Sequence, residues 1–171
     1  MKQQWPRVRI IPECHADTAL VKFFIRGFPY IDHEAGINNV VKNFSLVKDP
    51  TYCLVGLIDD DKRKPSYLGD FIEIKSLVNV SLRKKPDFEH YVIVLKPALE
   101  RFLMHQSAVV GISPSDFNLP EDIKLFCKLT KRPQIETNQD YFNLLSALKE
   151  REAPEFLALE GFLRDFIGKN V

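Results

Sequence analysis

The segment Tyr52–Ile58, YCLVGLI, is the most strand-like stretch of the chain, and it ends at once in the polar run Asp59–Pro65, DDDKRKP. A continuous apolar run is typical of a strand that is covered on both faces in a mainly parallel sheet. The acids that follow lie where such a strand ends. This segment therefore predicts a buried central strand with an acidic loop at its carboxyl end.

Weaker patterns on both sides alternate between strand and helix. Arg7–Pro12 and His90–Leu95 are rich in β-branched residues and predict strands, and Val78–Leu82 predicts another. Helical spacing of apolar residues follows Asp17 as far as Gly27, and a second helix opens at Pro97. The alternation predicts an α/β fold with a mainly parallel sheet and helices on both faces.

Two stretches of the first half are ambiguous. Between residues 28 and 50, Tyr30–Ile31 is consistent with a short strand and Ile37–Phe44 with a helix after Gly36. The stretch Tyr67–Leu77 is interpreted as a short helix.

The last third of the chain has a different character. A turn-rich stretch with two prolines, SPSDFNLPED, spans residues 113–122, and three amphipathic helical patterns follow it. The prediction is an α/β domain over residues 1–112 and a C-terminal helical extension over residues 113–171, packed on it as one compact unit.

Composition narrows the class of protein. The chain has 171 residues, 45% hydrophobic and 27% charged, which suits one globular domain. A formal charge of +1 gives no global attraction to nucleic acid, so any such contact depends on a local patch. Neither a signal peptide nor a membrane span is expected, and three widely spaced cysteines indicate reduced thiols and a cytoplasmic location.

Acidic residues follow two of the predicted strands. Glu13 comes directly after the first strand, with Asp17 four residues later, and Asp59 and Asp61 follow the central strand. Because ligands bind at the carboxyl ends of parallel strands, these acids are expected on one edge of the sheet. Alternation along the chain directs Asp59 and Asp61 to the same side. Their carboxylates suit Mg²⁺, or Mn²⁺, which orients phosphates.

Each of these acids also has a structural interpretation. The DDDK run is alternatively a solvated loop, and Asp17 is alternatively the N-cap of the first helix. Glu13 is harder to explain in this way because it directly follows an apolar strand. Taken together, the two acidic motifs favour a metal site.

The order strand, Glu13-x-x-x-Asp17, helix, then strand, Asp59-x-Asp61 resembles the Toprim domain of topoisomerases, primases and overcoming-lysogenization-defect nucleases. The likeness covers about residues 7–96, and Cys14 stands where that family usually has glycine. It implies a Toprim-like or Rossmann-like fold and Mg²⁺-dependent, nuclease-like phosphodiester chemistry on nucleic acid. It also implies that Glu13 is a metal-linked or acid/base carboxylate and that Asp59 and Asp61 bind the ion.

Basic residues near these motifs are candidates for phosphate contacts. Lys96 closes the His90–Leu95 strand and is a candidate catalytic residue on the same edge. Two clusters, residues 62–64 and 83–85, are candidates for local contact with nucleic acid, and solvated loops are the alternative for each. The C-terminal helices are a candidate surface for a protein partner.

Two other functions fit the same residues. A receiver-like signalling domain has a similar order of acids and a lysine, matched here by Glu13, Asp59 and Lys96–Pro97. A Toprim-shaped module without activity, which binds a partner protein, is the third possibility.

Overall fold

The computed structural model describes residues 7–60 and 63–168 of the chain. The strands are β1 (Val8–Pro12), β2 (Cys53–Asp59), β3 (Ile72–Ser76), β4 (Val80–Lys84) and β5 (His90–Leu95). The helices are α1 (His15–Phe24), α2 (Ile37–Leu46), α3 (Leu99–Val109), α4 (Ile123–Thr130), α5 (Gln139–Glu150) and α6 (Pro154–Gly168). Short 3₁₀ helices span Ser66–Asp70, Pro114–Phe117 and Pro133–Thr137.

The strands form one mixed sheet in the order β1-β2-β5-β4-β3. β1, β2 and β5 are parallel neighbours, whereas β4 pairs antiparallel with β5 and β3 antiparallel with β4. The α/β class is confirmed. The sheet is less parallel than expected, because β3 and β4 form an antiparallel pair at one side of it.

Side chains alternate between the two faces of the three parallel strands. On β2, Val55 and Leu57 join a large core with α1, α3, α5 and α6, and Leu54 and Ile58 join a smaller core under α2. Gly56 permits the close approach of α2, since a Cβ atom there would lie 3.0 Å from Val40 and 3.2 Å from Phe44. The sheet is therefore covered by helices on both faces.

The C-terminal helices share the larger core with α1. Phe126, Tyr141, Leu145 and Phe156 are fully buried in it. The Tyr141 hydroxyl donates a hydrogen bond to the carbonyl oxygen of Ala16 at 3.1 Å. The three helical patterns predicted after residue 120 are confirmed as α4, α5 and α6. α4 packs on α3, α5 packs on α1 and α6, and α6 also contacts β4.

Two ambiguous segments take other conformations than expected. The stretch interpreted as a short helix, Tyr67–Leu77, contains a 3₁₀ helix followed by strand β3. Tyr30–Ile31 forms only a single bridge between Ile31 and Ile10, although the helix predicted after Gly36 is present as α2. No helix in the described part of the chain is long and apolar enough to cross a bilayer.

Candidate functional site

Glu13 lies at the junction of β1 and α1, on the edge where the parallel strands end. Its backbone N–H donates to the Leu57 carbonyl at 3.1 Å and so continues the β1–β2 ladder. Its side chain turns to the neighbouring strand, where Oε2 accepts a hydrogen bond from the Asp59 N–H at 3.1 Å. Only 2% of the residue is exposed. Glu13 is thus fixed against the end of β2.

Asp59 is the last residue of β2 and is also buried. Its Oδ1 accepts a hydrogen bond from the backbone N–H of Leu99 at 3.0 Å, at the first residue of α3. Asp59 therefore joins the ends of two strands to the start of the helix that follows β5.

Asp17 is fully buried in the first turn of α1. The N-cap of α1 is Cys14, whose sulfur accepts from the Asp17 N–H at 3.4 Å, so Asp17 itself is not the cap. Asp17 Oδ2 accepts from the Cys14 thiol at 3.0 Å, and Oδ1 has no hydrogen-bond partner among the described residues. Burial first, and then the Asp59 charge, raise the pKa of Asp17 well above its usual range.

A fourth carboxylate, Glu100, comes from the start of α3 and is 8% exposed. It accepts a hydrogen bond from the Thr130 hydroxyl at the end of α4. Glu13, Asp59 and Glu100 all contribute to the raised pKa of Asp17, which indicates that the four carboxylates lie close together. We call these four residues the acidic edge.

A cavity of about 390 Å³ opens at this edge. Three of the acids line it, together with two histidines, a threonine and a lysine: Glu13, Asp59, Glu100, His15, His33, Thr130 and Lys131. Burial, followed by the charge of Asp17, raises the pKa of the Cys14 thiol far above neutrality. Cys14 is therefore a neutral thiol and not a nucleophile.

The two histidines belong to a second polar cluster. His15 and His33 stack with ring centroids 4.2 Å apart and planes within 16°. His15 Nδ1 lies 2.8 Å from Glu136 Oε1, and the Lys22 ammonium donates to Glu136 Oε2 at 2.9 Å. Among the described residues, His15, His33 and Glu136 are the one set of three ligand-type side chains whose ligand atoms lie within 4.8 Å of one another. The acidic edge is more widely spaced than that.

The structure brings Glu13, Asp17 and Asp59 together, and it places Lys96 elsewhere. The Lys96 ammonium donates to Ser76 Oγ at 3.2 Å and lies 3.7 Å from Glu73 Oε2, so its side chain joins the β3 side of the sheet. Asp61 lies outside the described residues. Asp60 is ion-paired with Lys64 and does not line the cavity.

Acidic partners neutralise much of the basic charge that the sequence places near these motifs. The cluster at residues 83–85 pairs with three acids: Arg83 with Glu73 at 3.9 Å, Lys84 with Glu89 at 2.8 Å, and Lys85 with Asp70 at 3.9 Å. Lys64 pairs with Asp60, and Lys62 lies outside the described residues. The cluster at residues 83–85 is therefore not a simple positive patch.

Several residues of the site escape sequence reasoning. Glu100 has a readable signal, because it lies in the first turn of the helix after β5, whose carboxyl end is on the same edge. His33, Thr130 and Glu136 have none. His33 lies in an irregular segment between α1 and α2, and Thr130 and Glu136 are more than 100 positions from Glu13. No protein-family model, curated protein or solved structure matches the chain in comparisons with known proteins.

Proposed function

We propose that the acidic edge binds Mg²⁺ or Mn²⁺ and supports phosphodiester chemistry on nucleic acid. The observation that carries the proposal is Asp17, a fully buried acid with an oxygen that lacks a hydrogen-bond donor among the described residues. Buried carboxyl groups are normally hydrogen-bonded or paired, because an unsatisfied one destabilises the fold. An edge that gathers three further carboxyl groups around this one is suited to a ligand of opposite charge.

A divalent cation fits this donor set better than a softer metal does. The acidic edge offers carboxylate oxygens, the ligands that Mg²⁺ prefers. Mg²⁺ also retains several waters and is commonly held by one or two carboxylates, so the wide spacing of the four acids does not oppose it. Glu13 and Asp59 are the best placed ligands, since both are fixed by backbone hydrogen bonds and both line the cavity.

Residues of the same cavity suit a phosphate group. When bound, the cation would orient a phosphate and offset charge on its attacking and leaving oxygens. Lys131 and the two histidines supply positive charge or N–H donors opposite the acids. Glu13 and Asp59 would hold the cation, and Glu100, which Thr130 orients, would receive or hold a proton. The likeness to Toprim domains supports the choice of nucleic acid as substrate.

The decisive experiment is a cleavage assay on labelled DNA and RNA oligonucleotides, single-stranded and duplex, with Mg²⁺, Mn²⁺ or EDTA. The wild type should cleave with metal and not with EDTA. Asp59→Asn keeps the acceptor for the Leu99 N–H but removes the charge, and it should lower the rate by about 100-fold or more. Glu160→Gln, which changes a buried acid in α6 outside the acidic edge, is the matched control and should retain activity.

Two outcomes would contradict the proposal. Cleavage that continues in EDTA would show that no metal ion is needed. Equal rates for wild type and Asp59→Asn would show that the acidic edge is not the site of cleavage. A receiver-like function is less well supported, because the Lys96 ammonium is directed to Glu73 rather than to the cavity. Labelling of Asp59 by acetyl phosphate would favour that function, and metal binding without cleavage would favour an inactive interaction module.

A further inference from the structure

The His15–His33–Glu136 cluster draws on three separate parts of the chain. His15 is the first residue of α1, His33 lies in the segment between α1 and α2, and Glu136 belongs to the 3₁₀ helix Pro133–Thr137. Each offers a ligand atom, and these three atoms lie within 4.8 Å of one another. Residues up to 121 positions apart are thus gathered at one point.

Thr18 contacts one ring nitrogen of His33. The Thr18 hydroxyl lies 2.8 Å from the Cys14 carbonyl oxygen and 2.9 Å from His33 Nδ1. Because this contact uses Nδ1, Nε2 is the nitrogen that would bind a metal ion. Ligation through Nε2 requires the neutral ring with its proton on Nδ1, and Thr18 Oγ1 is placed to accept that proton.

Glu136 is held in place from both sides. The Lys22 ammonium donates to one carboxylate oxygen at 2.9 Å, and His15 Nδ1 lies 2.8 Å from the other. Lys22 alone would neutralise the charge of Glu136, so an ion pair does not require His15, and it does not account for the stacked His33. The cluster has more ligand groups than a salt bridge uses.

We propose that His15, His33 and Glu136 bind one transition-metal dication of the Zn²⁺ class. Two imidazoles and a carboxylate suit Zn²⁺, Co²⁺ or Ni²⁺, whereas Mg²⁺ takes oxygen ligands. The ion takes the place of the proton between His15 and Glu136, and that proton is released to solvent. A metal ion lies in the plane of each imidazole that binds it, so at least one of the two stacked rings must turn out of the stack to reach metal–ligand distances of about 2.0–2.2 Å.

This site is separate in chemistry from the acidic edge, although the two are neighbours. His15 and His33 line the same cavity as Glu13 and Asp59, so the ion lies at the cavity wall. It also connects α1 to the 3₁₀ helix that precedes α5, and so joins the sheet-forming part of the chain to its C-terminal helices. The inference does not depend on phosphodiester chemistry.

The test is a titration of the untagged full chain with Co²⁺, followed by visible absorption, with Zn²⁺ as competitor. The wild type should bind one Co²⁺ and release it to Zn²⁺. His33→Gln and Glu136→Gln should each weaken binding by about tenfold or more. His105→Gln, which changes an exposed histidine of α3, is the matched control and should bind as the wild type does. Circular dichroism confirms that each variant is folded.

Asp59→Asn separates this site from the acidic edge. Retained Co²⁺ binding in Asp59→Asn, with loss in His33→Gln and Glu136→Gln, supports the inference whether or not the chain cleaves nucleic acid. The inference is overturned if the wild type binds no Co²⁺. It is equally overturned if His33→Gln and Glu136→Gln bind normally, or if Asp59→Asn loses Co²⁺ while those two variants keep it, which would place the ion among the carboxylates.

Discussion

Two buried acids in this protein have nearly the same exposure and opposite surroundings. Asp17 is fully buried at the acidic edge, and Glu160 of α6 is 7% exposed. Burial, and then Asp59, raise the pKa of Asp17. Burial also acts to raise the pKa of Glu160, but hydrogen bonds from Lys149 and Arg164, both at 2.8 Å, outweigh it and lower that pKa.

The contrast is between an acid that is paired with cations and an acid that is surrounded by other acids. Glu160 has two cations within hydrogen-bonding distance, Lys149 and Arg164. Its ion pair with Lys149 links α6 to α5. Asp17 is instead surrounded by further acids, which repel its ionised form. An acid whose surroundings disfavour its ionised form does not stabilise the fold through its charge. Such groups are typical of functional sites, where local stability is given up for binding.

The largest effect is expected from the divalent cation itself. At a Mg²⁺ concentration about 100 times its dissociation constant, binding to the native state stabilises the protein by about 2.7 kcal/mol. Thermal or urea unfolding with and without Mg²⁺ measures this increase. Glu160→Gln should show the full increase and Asp59→Asn little of it. The same increase in both variants would place the ion away from the acidic edge.

Neutral substitutions at the two acids should change stability in opposite directions. Glu160→Gln loses charge-assisted hydrogen bonds to two half-exposed cations, so the free energy of unfolding should fall by about 1 kcal/mol. Asp17→Asn removes repulsion and keeps an acceptor for the Cys14 thiol, so that free energy should stay the same or rise by up to about 1 kcal/mol. Urea unfolding without divalent metal measures both values. A clear loss of stability in Asp17→Asn would make Asp17 a structural residue.

The lowered pKa of Glu160 predicts a pH dependence of a definite sign. An acid whose folded-state pKa lies below the unfolded value of 4.5 binds fewer protons in the native state. Its stabilising contribution is complete above pH 4.5 and is lost as the pH falls through the folded-state pKa. The difference in unfolding free energy between wild type and Glu160→Gln should therefore shrink as the pH falls from 7 to 3. A constant difference would mean that Glu160 acts through packing alone.

The smallest effect is expected at Lys96. Its ammonium contacts Ser76 and Glu73 across the sheet, and these groups are partly exposed. Lys96→Met should change the free energy of unfolding by less than about 0.5 kcal/mol and leave nucleic-acid cleavage within about twofold of the wild type. Paired melts and cleavage assays measure both. A loss of cleavage with normal stability would restore Lys96 as a catalytic residue.

The parts of the structure that depend on local pattern could be predicted from the sequence. The apolar run of β2 and the acids around it led to the sheet edge that joins Glu13 and Asp59, because parallel strands end on the same side. β3 could not be recognised in the same way. All its residues are exposed, so the burial that normally produces a strand pattern is absent.

The rest of the site depends on contacts between distant parts of the chain. Glu136 reaches His15 across 121 positions because the C-terminal helices pack on α1, and no local spacing encodes that contact. The N-cap of α1 also differs from the structural alternative offered by the sequence. Cys14 is the N-cap and Asp17 lies inside the first turn, where its carboxylate accepts from the Cys14 thiol.

The outer strand β3 has a consequence for how the protein behaves at high concentration. Ile72 and Ile74 are 59% and 49% exposed on a strand that has no neighbour on its outer side in the described part of the chain, and such an edge is open to pairing with another chain. Charged Glu73 and Lys75 alternate with these isoleucines. The β3–β4 register is irregular between Glu73 and Lys75. Charge and a bent edge both oppose intermolecular pairing. Replacing Lys75 with a β-branched apolar residue would therefore favour fibrillar aggregation of an otherwise intact fold.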